Sequence, residues 1–380
     1  MQQRGGVLEP AIDRRLVREQ ADATTAQQGE TLPEEDVETG QDGGHAQMVA
    51  QPGDTMRAMA RGLRYERLVT ERANRASAHL DRLDARGIAA LMNREDARAV
   101  RAVGRVAADI AAAVELIVAA LRSGGRVIFV GAGTSGRLSV LEAAECPPTF
   151  GTPPSRVQAV MAGGRAAVFR SREGAEDDAR AGARAARARA RAGDVVVGVS
   201  ASGVTPFVRG ALTAARRAGA TTVLVTCNAR AAARPSGAGG PAKAPRRHMI
   251  DITIAPMPGP EVLAGSTRLK AGTATKLVLN TLTTASMARL GKVYGNRMVD
   301  VQPRSRKLRA RAARLVAEIG AVSTARARRL LAAADGRVPV AIVMARRDLP
   351  PDAAADALRA AGSLRPIIER GDRRARPPQR

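Results

Sequence analysis

The sequence predicts an α/β fold: a parallel sheet flanked by helices on both faces, followed by a small, mainly helical C-terminal region. Three observations carry this. Apolar runs of strand length at 126–130, 157–161, 194–200, 221–226 and 249–254 alternate with segments of helical apolar spacing, the pattern of crossover units whose sheet is covered on both sides. The first run ends in a glycine-rich turn, Gly131-Ala132-Gly133-Thr134-Ser135-Gly136-Arg137, which opens a helix. After Val301 the strands stop and short helical segments follow.

Each element has its own signal. Val100, Val103, Val106, Ile110, Val114, Ile117 and Leu121 recur at helical spacing, predicting one helix over 97–122 that Gly124-Gly125 terminates. The helix after the glycine turn is expected to be short, ending where Glu145 meets Cys146-Pro147-Pro148. An Ala- and Arg-rich helix is expected over 173–191, another up to about 218, and a long one after Gly265 to about 290. In the C-terminal region helices are expected at 307–319, 324–333 and 351–361, interrupted by an apolar stretch at 338–344, with a charged, loose end at 370–380. Residues 1–57 hold eleven acidic and five basic residues without apolar periodicity, the composition of a disordered extension. Residues 229–247 carry five basic and no acidic residues among Ala, Gly and Pro, and read as a flexible surface insertion. The expected organisation is therefore 1–57 extension, 58–301 sheet domain, 302–372 helical domain and 373–380 tail.

Composition narrows the function classes. At 380 residues the chain buries a sizeable core, and no apolar run is long enough to span a bilayer. The net charge of +25 suggests nucleic acid, yet only five of the 61 basic residues are lysines and there are two Tyr, four Phe and no Trp for base stacking. Nucleic-acid and membrane partners are therefore not expected, while the basic surface suits small anions. Two cysteines far apart, Cys146 and Cys227, fit a reduced, cytoplasmic setting and no metal site.

The glycine turn spells G-x-G-x-x-G, a weak dinucleotide signal. That reading also requires an acidic residue at the end of the second strand, and here the strand runs into Met161-Ala162-Gly163-Gly164. A tight turn without ligand is the plainer alternative. A third reading fits the residues better. Thr134 and Ser135 add hydroxyls to the amides of a helix N-terminus, and Ser200, Ser202 and Thr205 follow a second parallel strand. Loops at the carboxyl ends of neighbouring strands meet in one crevice, so the two sets can hold one phosphate of a small molecule, with no cofactor or metal. Acid–base chemistry falls to carboxylates, because only His45, His79 and His248 are present. Glu142 and Glu145 lie on the helix after the turn, and Glu173, Glu176, Asp177 and Asp178 form a second cluster; a solvated helix face is the plain reading for any one of them.

Several blocks together resemble the N-acetylmuramic acid 6-phosphate etherases: 131–138, Glu145-Cys-Pro-Pro-Thr-Phe-Gly151, Glu173-Gly-Ala-Glu-Asp-Asp178, Gly265-Ser-Thr-Arg-Leu-Lys-Ala-Gly272, Lys292-Val-Tyr-Gly-Asn296 with Met298-Val-Asp-Val301, and upstream Thr70, Glu71, Asn74, Ser77 and Asp81. The resemblance covers roughly 65–370. It implies a sugar isomerase (SIS) domain with a helical C-terminal domain, a homodimer, and a lyase that cleaves the D-lactyl ether of a phosphosugar without a cofactor. By motif match it makes Glu145 the proton donor and Glu176 the second active-site residue, read as the base at C2. It assigns Thr134, Ser135, Ser200, Ser202 and Thr205 to the phosphate, and Glu261, Ser266, Arg268 and Lys270 to the rest of the pocket, or to shaping the turn they occupy. The chain departs from the pattern at Ser200, where Ala is usual, at Ala229 after Cys227-Asn228, and at Ser171-Arg172. Two other readings stay open: a non-catalytic sugar-phosphate sensor similar to the glucokinase regulatory protein, and an aldose–ketose phosphate isomerase on the same fold.

Overall fold

The computed structural model describes residues 68–228, 250–301, 303 and 305–374, so the expected extension at 1–57 and the insertion at 229–247 lie outside the described residues. Three short 3-10 turns, Val69–Glu71, Arg75–Ser77 and Leu80–Arg82, lead into helices α1 (Ala85–Gly104) and α2 (Ala107–Arg122). The sheet domain then alternates β1 (Val127–Gly131), α3 (Gly133–Phe150), β2 (Val157–Met161), α4 (Ala179–Arg187), β3 (Val195–Val199), α5 (Pro206–Arg217), β4 (Thr221–Val225), β5 (Ile252–Ile254) and α6 (Lys270–Arg289). A two-stranded antiparallel hairpin, β6 (Val293–Tyr294) and β7 (Arg297–Met298), joins it to α7 (Arg306–Gly320), α8 (Thr324–Ala333), α9 (Val338–Arg347), α10 (Pro351–Ala361) and α11 (Leu364–Arg374).

The five strands are parallel in the order β2-β1-β3-β4-β5. Two apolar layers cover the sheet. Phe129, Val197 and Val223 face α2 and α6, while Ile128, Val196 and Leu224 face α5. At about 25 cal/mol per Å2 of apolar surface buried, such layers supply most of the drive to fold. The helical region has its own core, built on Leu315, Val316, Ile342, Val343 and Leu364. Among the described residues no helix is long and apolar enough to cross a membrane.

The chain reverses direction across the sheet at β1, with β2 on one side and β3 on the other, and that switch point is where open α/β sheets hold ligands. The register is level there. Gly131 pairs with Met161 and with Val199, and Val199 pairs with Val225, so the loops leave the sheet at one height.

Several expectations are corrected. The helix expected over 97–122 is two helices. The first starts earlier, where the Asp84 side chain accepts from the Gly87 amide at 2.7 Å, and ends at Gly104. Its inner face is Leu91, Glu95, Ala99 and Ala102, only one of them a large apolar residue, and Val100 points out at 57% exposure. The helix α3 does not stop at Cys146. Each proline removes one backbone bond but keeps a helical φ, and a last turn closes when Gly151, at φ +65, donates to the Pro147 carbonyl at 3.0 Å. The helix expected over 173–191 begins only at Ala179, because Asp178 caps it by accepting from the Ala181 amide at 2.7 Å. Glu176 therefore sits in the loop before a helix rather than on one. The apolar stretch at 338–344 is itself a helix, apolar on every side because the others surround it. The last helix runs to Arg374, further than the loose end expected from 370.

Candidate functional site

The first loop is shaped by its glycines. A Cβ on Gly131 would stand 2.7 Å from the Gly136 amide nitrogen, and one on Gly136 would stand 2.8 Å from the Gly131 carbonyl, so the strand end and the helix start touch through backbone alone. Gly133 adopts φ +53. The turn leaves the first amides of α3 free of helical partners, with Thr134 and Ser135 half-buried beside them. The Thr134 methyl lies 3.7 Å from where a Cβ on Gly272 would be, which puts the first turn of α6 against that of α3. Two helices thus begin side by side, and of the two it is α3 that presents uncapped amides.

The second loop is held by its own hydroxyls. Ser200 Oγ lies 2.7 Å from Thr205 Oγ1 and 3.4 Å from Ser202 Oγ, and accepts from the Gly203 amide at 3.0 Å. Ser200 is buried and spends its hydroxyl on the loop, whereas Ser202 and Thr205 are half-buried. The loop after β4 braces it from beneath: the Cys227 amide and Thr226 hydroxyl donate to the Ala201 carbonyl, and Asn228 Nδ2 donates to the Ser202 carbonyl. Cys227, Ala271 and Ala201 pack in one small cluster, so this loop also abuts the start of α6.

The backbone of Glu176 is tied to the second loop. The Phe207 amide, two residues beyond Thr205, donates to the Glu176 carbonyl at 2.9 Å. From the first loop Arg137 reaches over with Nε to the Val168 carbonyl at 2.8 Å and with Nη2 to the Ala167 carbonyl at 2.9 Å, fixing the turn that leads to it. The Glu176 side chain is reached by solvent, yet partial burial, with the like charges of Asp177 and Glu173, holds its pKa above the ordinary carboxylate value.

The block at 261–270 divides into two roles. Buried Glu261 accepts the amides of Lys270 and Ala271, each at 2.9 Å, and so caps α6; burial pushes its pKa up against those two bonds. Lys270 is fully buried, its Nζ 2.5 Å from Glu95 Oε2, and Asn74 Nδ2 donates to the same oxygen at 2.7 Å. Burial opposes ionisation of Glu95, but Lys270 and Asn74 outweigh it and its pKa falls. Asn74 also donates to the Pro260 carbonyl, and Ser77 to the Val262 carbonyl at 2.7 Å, so the upstream block fastens this turn from outside. Half-buried Ser266 and exposed Arg268 remain open to a ligand.

Glu145 does not join this cluster. It lies twelve residues after Gly133 on α3, about 18 Å along the axis at 1.5 Å per residue, and its side chain is exposed. Cys146 beside it is buried, its thiol pushed up to about 12 by burial and by Glu142; burial raises the Cys227 thiol likewise, to about 12. Sequence reasoning missed Glu95 and the tie made by Arg137. Glu95 was discoverable as an acidic residue in phase with Leu91, Ala99 and Ala102.

Residues 109–216 match the glucokinase regulatory protein N-terminal SIS domain. Among solved structures, a phosphoheptose isomerase from Neisseria gonorrhoeae is similar over 54% of this chain and 100% of its own, at 19% identity and a TM-score of 0.40. Among curated proteins, the N-acetylmuramic acid 6-phosphate etherase of Gloeobacter violaceus is 52% identical over 301 residues, 79% of this chain and 94% of that one. That of Geobacillus thermodenitrificans is 47% identical over 80% of this chain and 99% of its own. With identity of this order across nearly the whole of its relatives, the chain belongs to the N-acetylmuramic acid 6-phosphate etherase family.

Proposed function

We propose that this protein cleaves the D-lactyl ether of N-acetylmuramic acid 6-phosphate with water, giving N-acetylglucosamine 6-phosphate and D-lactate in the cytoplasm. The observation that carries this reading is the meeting of two hydroxyl-bearing loops and the N-terminus of α3 at the level carboxyl edge of the sheet, with the Glu176 backbone fastened to the second loop. Amides and hydroxyls there suit a phosphate dianion. In the open-chain sugar the C1 aldehyde acidifies the C2 proton. Glu176, its pKa held above the ordinary carboxylate value, takes that proton as general base. The C2–H electrons form the C2=C3 bond as the C3–O bond breaks, and lactate leaves with a proton from Glu145. Water then adds at C3 and C2 regains a proton, so the sum is one water consumed per ether.

Glu145 lies too far along α3 for a hexose phosphate anchored at Gly133–Ser135 of the same chain. The exposed residues Leu141, Ala144, Glu145 and Pro148 share one face of that helix. We assign this face to a second copy in a homodimer, each copy supplying Glu145 to the sugar held by the other.

The test is direct: the purified protein is incubated with N-acetylmuramic acid 6-phosphate and D-lactate is assayed enzymatically. Release at turnover rates is expected. Phosphosugar binding without any lactate would replace this reading with a sensor, which the match to the glucokinase regulatory protein domain favours as the second possibility.

A further inference from the structure

Three residues before Glu145, α3 carries a carboxylate that the reaction does not use. Glu142 is 5% exposed. Its Oε2 receives Lys276 Nζ at 2.8 Å and its Oε1 receives Thr283 Oγ1 at 2.5 Å, both from α6. Lys276 also donates to Asn280 Oδ1 at 2.5 Å. Both carboxylate oxygens are thus satisfied by one neighbouring helix, at two points seven residues, or about two turns, apart.

Stability alone does not account for an ion pair here, since apolar residues of similar volume hold two helices together as well or better. What a two-point polar grip adds is a fixed register. That matters in α3 more than elsewhere. The prolines at 147 and 148 leave the Ala143 and Ala144 carbonyls without helical partners, so the turn carrying Glu145 has lost two backbone bonds. Its outer face, Leu141, Ala144, Glu145 and Pro148, is exposed among the described residues, and buried Cys146 and Phe150 on its inner face are apolar and without direction.

We propose that Glu142, gripped by Lys276 and Thr283, is a positioning residue that sets the height and rotation of Glu145. This rests on the reading of Glu145 as the proton donor. The same two helices also meet at their N-terminal ends through Thr134 and Gly272, so the grip fixes the donor against the rigid frame of its own chain, which in the dimer carries it to the sugar held by the other copy.

The test compares kcat and KM of E142Q, K276M, T283V, T283S and the pair E142Q/K276M with wild type and E145Q, with melting temperature and sedimentation recorded for each. E142Q, K276M and T283V are expected to lose about tenfold to a hundredfold in kcat, as small misplacements of reacting groups do, with KM within about twofold. T283S keeps the hydroxyl and is expected to retain kcat. E142Q/K276M is expected to be no slower than its worse single variant, because both break one interaction. If E142Q does not fold, the T283V and T283S pair decides alone. Unchanged kcat in T283V, a loss confined to KM, or losses that multiply in the pair would overturn the proposal while an inactive E145Q leaves the donor assignment standing. E145Q at wild-type kcat would remove both.

Discussion

At Glu176 partial burial, and after it the like charges of Asp177 and Glu173 within five positions, is why this group favours its proton. A base works only when ionised, so kcat/KM is expected to fall as pH drops through a value above the ordinary glutamate pKa of about 4.3. Glu176→Gln is expected to lose this limb together with exchange of the C2 proton in deuterated water, and exchange that persists in the variant would move the base elsewhere. The residues of the site were legible in the sequence as chemistry but not as position. Hydroxyls beside glycines announce an anion site, whereas nothing in the order of letters shows that Ser200 spends its oxygen on its own loop. Nor does it show that Glu261 and Lys270 serve helix capping and a buried pair. Such roles depend on partners 9 to 175 residues distant.

The elements were readable wherever one period ran cleanly. The strands and the helices at 324–333 and 351–361 follow from apolar runs and caps. The failures have physical causes: α1 buries alanines and a glutamate, and α3 tolerates prolines in its last turn. The contact between β1 and α3 is sensitive to substitution. Gly131→Ala places a methyl carbon 2.7 Å from the Gly136 amide nitrogen, backbone that has no side chain to move aside. A loss of about 1–3 kcal/mol is expected from such overpacking, read as a lower urea midpoint at unchanged slope. Phosphate affinity should fall in parallel.

Across the whole molecule, charge pairs tie the sheet to the segments around it. Asp194, fully buried, holds Arg126 at 2.6 Å and takes the Arg126 and Arg191 amides, while Glu95 joins α1 to α6 through Lys270. Burial opposes ionisation at both, but the bonds from Arg126 and from Lys270 prevail and depress both pKa values. A depressed folded-state pKa gives stability that is complete above the unfolded value and is lost as pH falls through the folded one. The melting temperature is therefore expected to hold from neutrality to about pH 4 and to decline below it. Glu95→Gln should lower the plateau and shallow that decline; an unaltered slope would show that other carboxylates govern acid unfolding.

The two native thiols, sunk in the interior with their pKa pushed up to about 12 by burial, make the chain a quiet background for labelling chemistry. A cysteine placed at exposed Leu141 would be the accessible, reactive sulfur. Maleimide should then leave the parent protein untouched and modify L141C stoichiometrically. In the assembled dimer that label should react slowly or report, as a spin–spin distance, how near the two copies of α3 approach. Rapid modification at every protein concentration would mean that this face of the helix stays open to water.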